Sequence, residues 1–140
     1  MKKILALLLF ISFALAAQCQ EPVSDQTAVN YYSSGIEKEA QENHVGAIAD
    51  FDYAISLDPK YTEAYIARGI SKWDNKDLDG AWKDFDAAIS IDSTSGKAYY
   101  YRGLTYFDYR YYEKACIDLY QAILLGYSDA EVAFEEYCEW

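Results

Sequence analysis

Residues 75–86 read NKDLDGAWKDFD, and their oxygen-bearing side chains fall at the spacing of a calcium-binding EF-hand loop. Such a loop takes ligands at its first, third and fifth positions, glycine at the sixth and a carboxylate at the twelfth. Asn75, Asp77, Asp79, Gly80 and Asp86 occupy those places. Other reactive groups are sparse. His44 is the single histidine, and no second imidazole or exposed thiol pair is at hand to complete a zinc site. Ser33 and Ser34 have no histidine at a useful spacing for nucleophilic catalysis. The glycines are isolated, so none forms a phosphate-cradling loop. Carboxylates in IADFDYAISLD and WKDFDAAISID recur at helical spacing, the pattern of a solvated face. No cofactor or metal is expected, and an enzymatic or calcium-dependent activity is a remote alternative.

The elements that would position these groups must fit a chain of 140 residues, enough for one domain with a real core. A hydrophobic share of 52% with 17% aromatic residues rules out a disordered chain. The formal net charge is −11, and no basic stripe interrupts it. Polyphosphates are repelled by such a surface, so nucleic acid and anionic membranes are poor partners.

The N-terminal MKKILALLLFISFALAAQCQ carries two lysines, an apolar run from Ile4 to Ala17 and then small residues. This is the pattern of a cleaved export signal, residues 1–17, and the run is short for a membrane span. The chain is therefore expected to be periplasmic or extracellular. Cys19 offers lipidation as a second option, with anchoring to the outer membrane as the one membrane association. Gln18 and Ala16 depart from the usual lipoprotein pattern around that cysteine. In an oxidising compartment Cys116 and Cys138 can pair, or stand as two separate buried thiols.

Organisation emerges when the sequence is slid against itself. At an offset of 34, residues 28–61 match residues 62–95 at 13 positions, where average composition would give about two. A further shift sets 62–95 on 96–129 with nine identities. Three copies, 28–61, 62–95 and 96–129, thus stand in tandem. The periodicity within each is helical: Ala81, Phe85, Ala88 and Ile89 recur at i, i+4, i+7 and i+8. Polar turns such as HVG and NKDLDG separate two halves, so each copy is a pair of antiparallel helices. Gly35, Gly69 and Gly103 fall within first helices, where glycine costs about 1 kcal/mol relative to alanine. Their recurrence implies a partner helix too close for a side chain, with Ala47, Ala81 and Ala115 expected opposite.

With these residues in place, the chain resembles a tetratricopeptide repeat protein of a small exported bacterial type. An aromatic residue, glycine four on, alanine twelve beyond, an aromatic four further and alanine three later are met by Tyr65, Gly69, Ala81, Phe85 and Ala88. Tyr31, Gly35, Ala47, Phe51 and Ala54 match in the first copy; in the third, Leu119 replaces the second aromatic residue and Tyr127 stands where proline is usual. The resemblance implies an all-α, right-handed superhelical solenoid over 28–129. Residues 18–27 are expected to be a linker and 130–140 a capping helix. The repeat also disposes of the calcium loop. Gly80 recurs as Gly46, where Gln41, Asn43 and Val45 replace the supposed ligands. Asp77 and Asp79 are instead expected as acids at a helix N-terminus.

The resemblance further implies a concave groove lined by first helices. Its expected lining is Tyr32 and Ile36 from the first copy, Ile66, Ile70 and Trp73 from the second, and Tyr100, Tyr101, Leu104 and Phe107 from the third. Relatives that clamp a C-terminal carboxylate use lysines, asparagines and an arginine there, and only Lys97 qualifies, so chaperone-tail binding is not expected. The lining suits a protein or peptide with apolar anchors, and basic flanks would match the acids at its rim. The implied function is a non-enzymatic adaptor or scaffold. The alternative is a structural subunit that self-associates through its repeats into a homo-oligomer, with the lining packed internally or against a second copy.

Overall fold

The computed structural model describes residues 23–138, with side chains from Thr27 onward. The expected export signal, Cys19 and the first part of the linker lie outside the described residues. Seven helices follow one another, α1 (Val23–Glu39), α2 (His44–Leu57), α3 (Thr62–Asp74), α4 (Leu78–Ile91), α5 (Gly96–Asp108), α6 (Tyr112–Leu124) and α7 (Asp129–Cys138). No strand occurs among the described residues. α1 starts at Val23, so residues 23–27, expected as linker, are helical instead.

Local chemistry sets the helix ends. Asn43 caps α2 and Asp77 caps α4, each side chain accepting from the backbone N–H of the glycine three residues on, Gly46 at 3.0 Å and Gly80 at 2.9 Å. A Cβ at either glycine would crowd that capping side chain. The glycine of the supposed calcium loop therefore belongs to a helix cap. Its other carboxylates are engaged separately: Asp79 accepts from the Tyr109 hydroxyl, and Asp86 pairs with Arg102. Each turn inside a pair has one left-handed residue, Glu42, Lys76 and Arg110, with φ of 58°, 67° and 62°. None is glycine, so each turn carries strain of about 1–2 kcal/mol, which the packing of the two helices must offset.

The core runs along the stack as a row of small residues with one large side chain per repeat. Phe51, Phe85 and Leu119 are fully buried, together with alanines such as Ala47, Ala54, Ala81, Ala88, Ala115 and Ala122. The glycines of the first helices meet these large side chains. A methyl group on Gly69 would lie 2.6 Å from the Phe85 ring, and Gly35 faces Phe51 in the same way. At these two positions the phenylalanine ring, rather than the buried Ala47 or Ala81, supplies the atoms nearest to such a methyl group. Gly103 faces Leu119 and the Ala115 carbonyl at 3.2–3.3 Å, a looser fit.

α7 packs on α6 and is tied to it by a disulfide between Cys116 and Cys138, with Cα atoms 5.7 Å apart. The option of two separate buried thiols is thereby set aside.

Alanine has the higher helix propensity by about 1 kcal/mol, while overpacking a core typically costs about 1–3 kcal/mol. Gly69→Ala is thus expected to lower stability in urea unfolding, Gly103→Ala to leave it nearly unchanged, and Phe85→Leu to rescue the first.

Candidate binding groove

The first helices α1, α3 and α5 supply the expected lining, and the structure divides it into two clefts. One, of about 200 Å³, is lined by Tyr32, Ile36, Ile66, Ala67 and Ile70, with Glu39, Glu63 and Lys97 around it. The other, of about 450 Å³, is lined by Trp73, Tyr100, Leu104 and Phe107, and α7 forms its far wall with Val132, Ala133 and Tyr137. Asp108, Asp129 and Glu136 border this second cleft.

Two expected lining residues serve another purpose. Tyr101 borders neither cleft; its ring stacks on Phe85 at 5.7 Å and meets the edge of Trp73 at 6.4 Å. The position-by-position reading placed it in the groove, but its ring turns into the core. Ile66 is only 5% exposed and belongs to the same cluster, offering the groove little more than an edge. Ile36 is the most open of the lining at 43%.

Aromatic contacts hold the second cleft's floor. Trp73 donates its indole N–H to Asp108 at 2.6 Å. Tyr100 packs on Tyr127 at 5.1 Å, and Phe107 packs on Tyr137 of α7 at 4.4 Å. Burial, then the charge of Asp129, pushes the Tyr100 hydroxyl above its ordinary range; burial, then Glu63, does the same for Tyr32. Both are neutral phenols near pH 7, apolar faces with a polar tip.

A second constellation links the helix pairs, and two of its members, Asp50 and Asp84, were expected on a solvated face. Asp50, Asp84 and Asp118, one repeat apart, are buried at 8%, 4% and 5% exposure. Arg68 clasps Asp84 with Nε at 2.8 Å and Nη2 at 2.6 Å, while its Nη1 reaches Asp52 of the preceding repeat at 2.5 Å. Arg102 repeats the arrangement, holding Asp118 at 2.7 and 3.0 Å and Asp86 at 2.7 Å. Lys72 adds a bond to Asp84 at 2.8 Å. In the first repeat Ser34 stands in the arginine's place, and Asp50 is served by its hydroxyl and by Lys38, both at 2.6 Å. Each arginine thus binds two carboxylates, one in its own repeat and one in the repeat before. Burial by itself would lower the arginines' affinity for their protons, and the paired carboxylates more than reverse that. Burial likewise pushes the Asp50 carboxyl up, but bonds from Lys38 and Ser34 prevail and hold it below the usual range. The signal was present in the sequence: Asp50, Asp84 and Asp118 recur at 34 as faithfully as the glycines, and Arg68 and Arg102 recur in the last two copies.

His44, expected in a solvated turn, opens α2 instead. Its Nδ1 lies 3.1 Å from Glu39 Oε1. Asp74 from the next repeat completes a group whose ligand-type atoms fall within 4.8 Å of one another. One nitrogen and two carboxylates are a thin donor set for a structural metal, which takes four.

Helix pairs stacked with a 34-residue period, a glycine against a buried ring and a concave row of first helices define an all-α tetratricopeptide repeat solenoid. Comparison with solved structures shows the same fold. The first TPR of Spaghetti (RPAP3) bound to HSP90 peptide SRMEEVD superposes with a TM-score of 0.77 at 21% identity, covering 81% of this chain and 91% of that one. The Arabidopsis OM64 TPR domain gives 0.78 at 21%, covering 82% and 97%. The second TPR domain of human RPAP3, in complex with HSP70 peptide SGPTIEEVD, gives 0.77 at 19%, covering 84% and 99%. No protein-family profile and no curated protein matches the sequence.

Removing one partner of a buried ion pair costs about 3–5 kcal/mol, less where water reaches the pair. Arg68→Met should therefore lower unfolding free energy by about 2–3 kcal/mol in urea, since Asp84 keeps Lys72. Asp50 has a folded-state pKa below its unfolded value of about 3.9. Its contribution is complete above that pH and is lost as pH falls through the folded value. Replacing Lys38 by Met should flatten the acid limb of a thermal-stability profile below pH 4.

Proposed function

We propose that this chain is a non-enzymatic adaptor that holds a segment of a partner protein in its concave groove. The observation that carries the reading is the pair of aromatic and aliphatic clefts on the first-helix face. Two clefts in a row suit a peptide or helix with two apolar anchors, the way amphipathic segments dock. Five acids against one lysine border the clefts: Glu39, Glu63, Asp108, Asp129 and Glu136 against Lys97. Basic residues flanking the anchors would complement them.

That rim argues against the ligands of the structural neighbours. Peptides ending in EEVD are acidic, and Lys97 alone would have to balance the groove's own carboxylates. An adaptor for basic-flanked apolar segments is the better fit. Export, suggested by the apolar N-terminal run, would place the interaction in the periplasm or outside the cell, with Cys19 as a possible lipid anchor. The disulfide between Cys116 and Cys138 is compatible with such an oxidising location.

The test uses a fluorescent amphipathic peptide with two leucine or tryptophan anchors and lysine flanks, followed by anisotropy. The wild-type chain should bind it, and Ile70→Glu with Tyr100→Glu should weaken binding by at least tenfold while circular dichroism stays helical. Full affinity in a folded double variant would defeat the groove reading. Concentration-dependent light scattering abolished by the same pair would favour self-association.

A further inference from the structure

The turn between α5 and α6 breaks the pattern of its two predecessors, and every break there introduces a residue with a ligand-binding character. Where the first two repeats have the capping residues Asn43 and Asp77, the third has Tyr111, and α6 starts without a side-chain cap. Where they have Gly46 and Gly80, it has Lys114; where they have Lys38 and Lys72, it has Tyr106; where they have Gln41 and Asn75, it has Tyr109. The third repeat thus forgoes both a helix cap and the lysine that serves the buried aspartate elsewhere. Nearby, Trp82 replaces what is Ile48 in the first repeat, and its indole N–H is buried without a partner, a cost that an aliphatic residue avoids.

These residues surround an open cleft of about 450 Å³ on the turn edge of the solenoid, away from the concave groove. Its rings form a continuous run: Trp82 to Tyr106 at 6.4 Å, Tyr106 to Tyr111 at 6.4 Å, and Tyr111 to Tyr109 at 5.9 Å. Tyr111 is 55% exposed, with Tyr109 stacked on its ring and Lys114 Nζ 5.4 Å from its centroid. Lys83 and Lys114 border the cleft against one carboxylate, Asp79, which already accepts from the Tyr109 hydroxyl. In a chain of net charge −11 two neighbouring lysines stand out, with Asp77 the second acid near enough to act on Tyr109.

We infer that this cleft is a binding site for an acidic saccharide. Aromatic faces take the flat C–H side of a sugar ring, and the two ammonium groups take its carboxylate. Lys114 Nζ lies over Tyr106 and Tyr111 at 5.6 and 5.4 Å; an acidic sugar draws this exposed lysine off the rings onto its own carboxylate, whereas a quaternary cation, the usual guest of an aromatic cage, would have to displace it and offers it no anion in return. A purely packing role does not explain giving up the cap for an exposed tyrosine.

Titration calorimetry of the full chain with tri-galacturonate, and with maltotriose as the neutral control, tests this. Saturable binding of tri-galacturonate is expected, about tenfold tighter than maltotriose at low salt and weakened by 0.5 M NaCl through screening, to roughly the same affinity as the neutral sugar. The decisive variant restores the second repeat's pattern, Tyr111→Asp with Lys114→Gly. It should raise Tm by about 3–6 °C by returning a cap, yet abolish binding. Tyr109→Ala should weaken binding at least fivefold. No saturable heat with tri-galacturonate, equal affinity for the two sugars at low salt, undiminished binding by the restored variant, or a loss of its stability would each overturn the assignment.

Discussion

The distance between the two helices of the first and second pairs is set by a glycine against a buried ring, and much else in the molecule is built around that separation. With a Cβ at Gly35 or Gly69 the helices would have to move apart against Phe51 or Phe85. At the observed spacing the alanines of the second helices are sealed from water. The same closeness brings Arg68 within reach of Asp84, sixteen residues away on the partner helix. Close packing and charge pairing are therefore coupled. A repeat that relaxed the first would stretch the second, which is a physical reason for both to recur with one period.

The sequence discloses what depends on period and leaves hidden what depends on side-chain direction. Three helix pairs could be read from Gly35, Gly69 and Gly103, because a glycine inside a helix is costly enough to demand a reason. The EF-hand reading could be dismissed on the same basis. Asp50 and Asp84 were misplaced on a solvated face, since a carboxylate at helical spacing looks alike whether it meets water or an arginine from another helix. Their recurrence was visible; their burial was not. Tyr101 is a related case: its stacking on Phe85 is not legible in the sequence, as a helical position fixes where a side chain starts and not where its ring ends. Cys116 and Cys138 lie 22 residues apart, and only the return of α7 along α6 brings them together.

Two surfaces of different character emerge from one scaffold. The concave face is acidic at its rim, while the α5–α6 turn is aromatic and bordered by lysines. The groove follows from the repeat, since every copy contributes a first helix to it. The turn cleft follows from departures from the repeat, at positions where the third copy differs from both others. Regularity builds the frame, and irregularity gives one joint, between the second and third copies, a surface that the other joint lacks.

The charge pairing between repeats has a beginning and an end. Arg68 and Arg102 each reach back to an aspartate one repeat earlier, but the arginine's place in the first repeat is Ser34, and the aspartate's place in the third is Tyr120. A second molecule abutting tip to tip would find hydroxyls where the interior joints have opposite charges. The electrostatic zipper is closed at both extremities, so this linkage offers no template for indefinite growth into fibres.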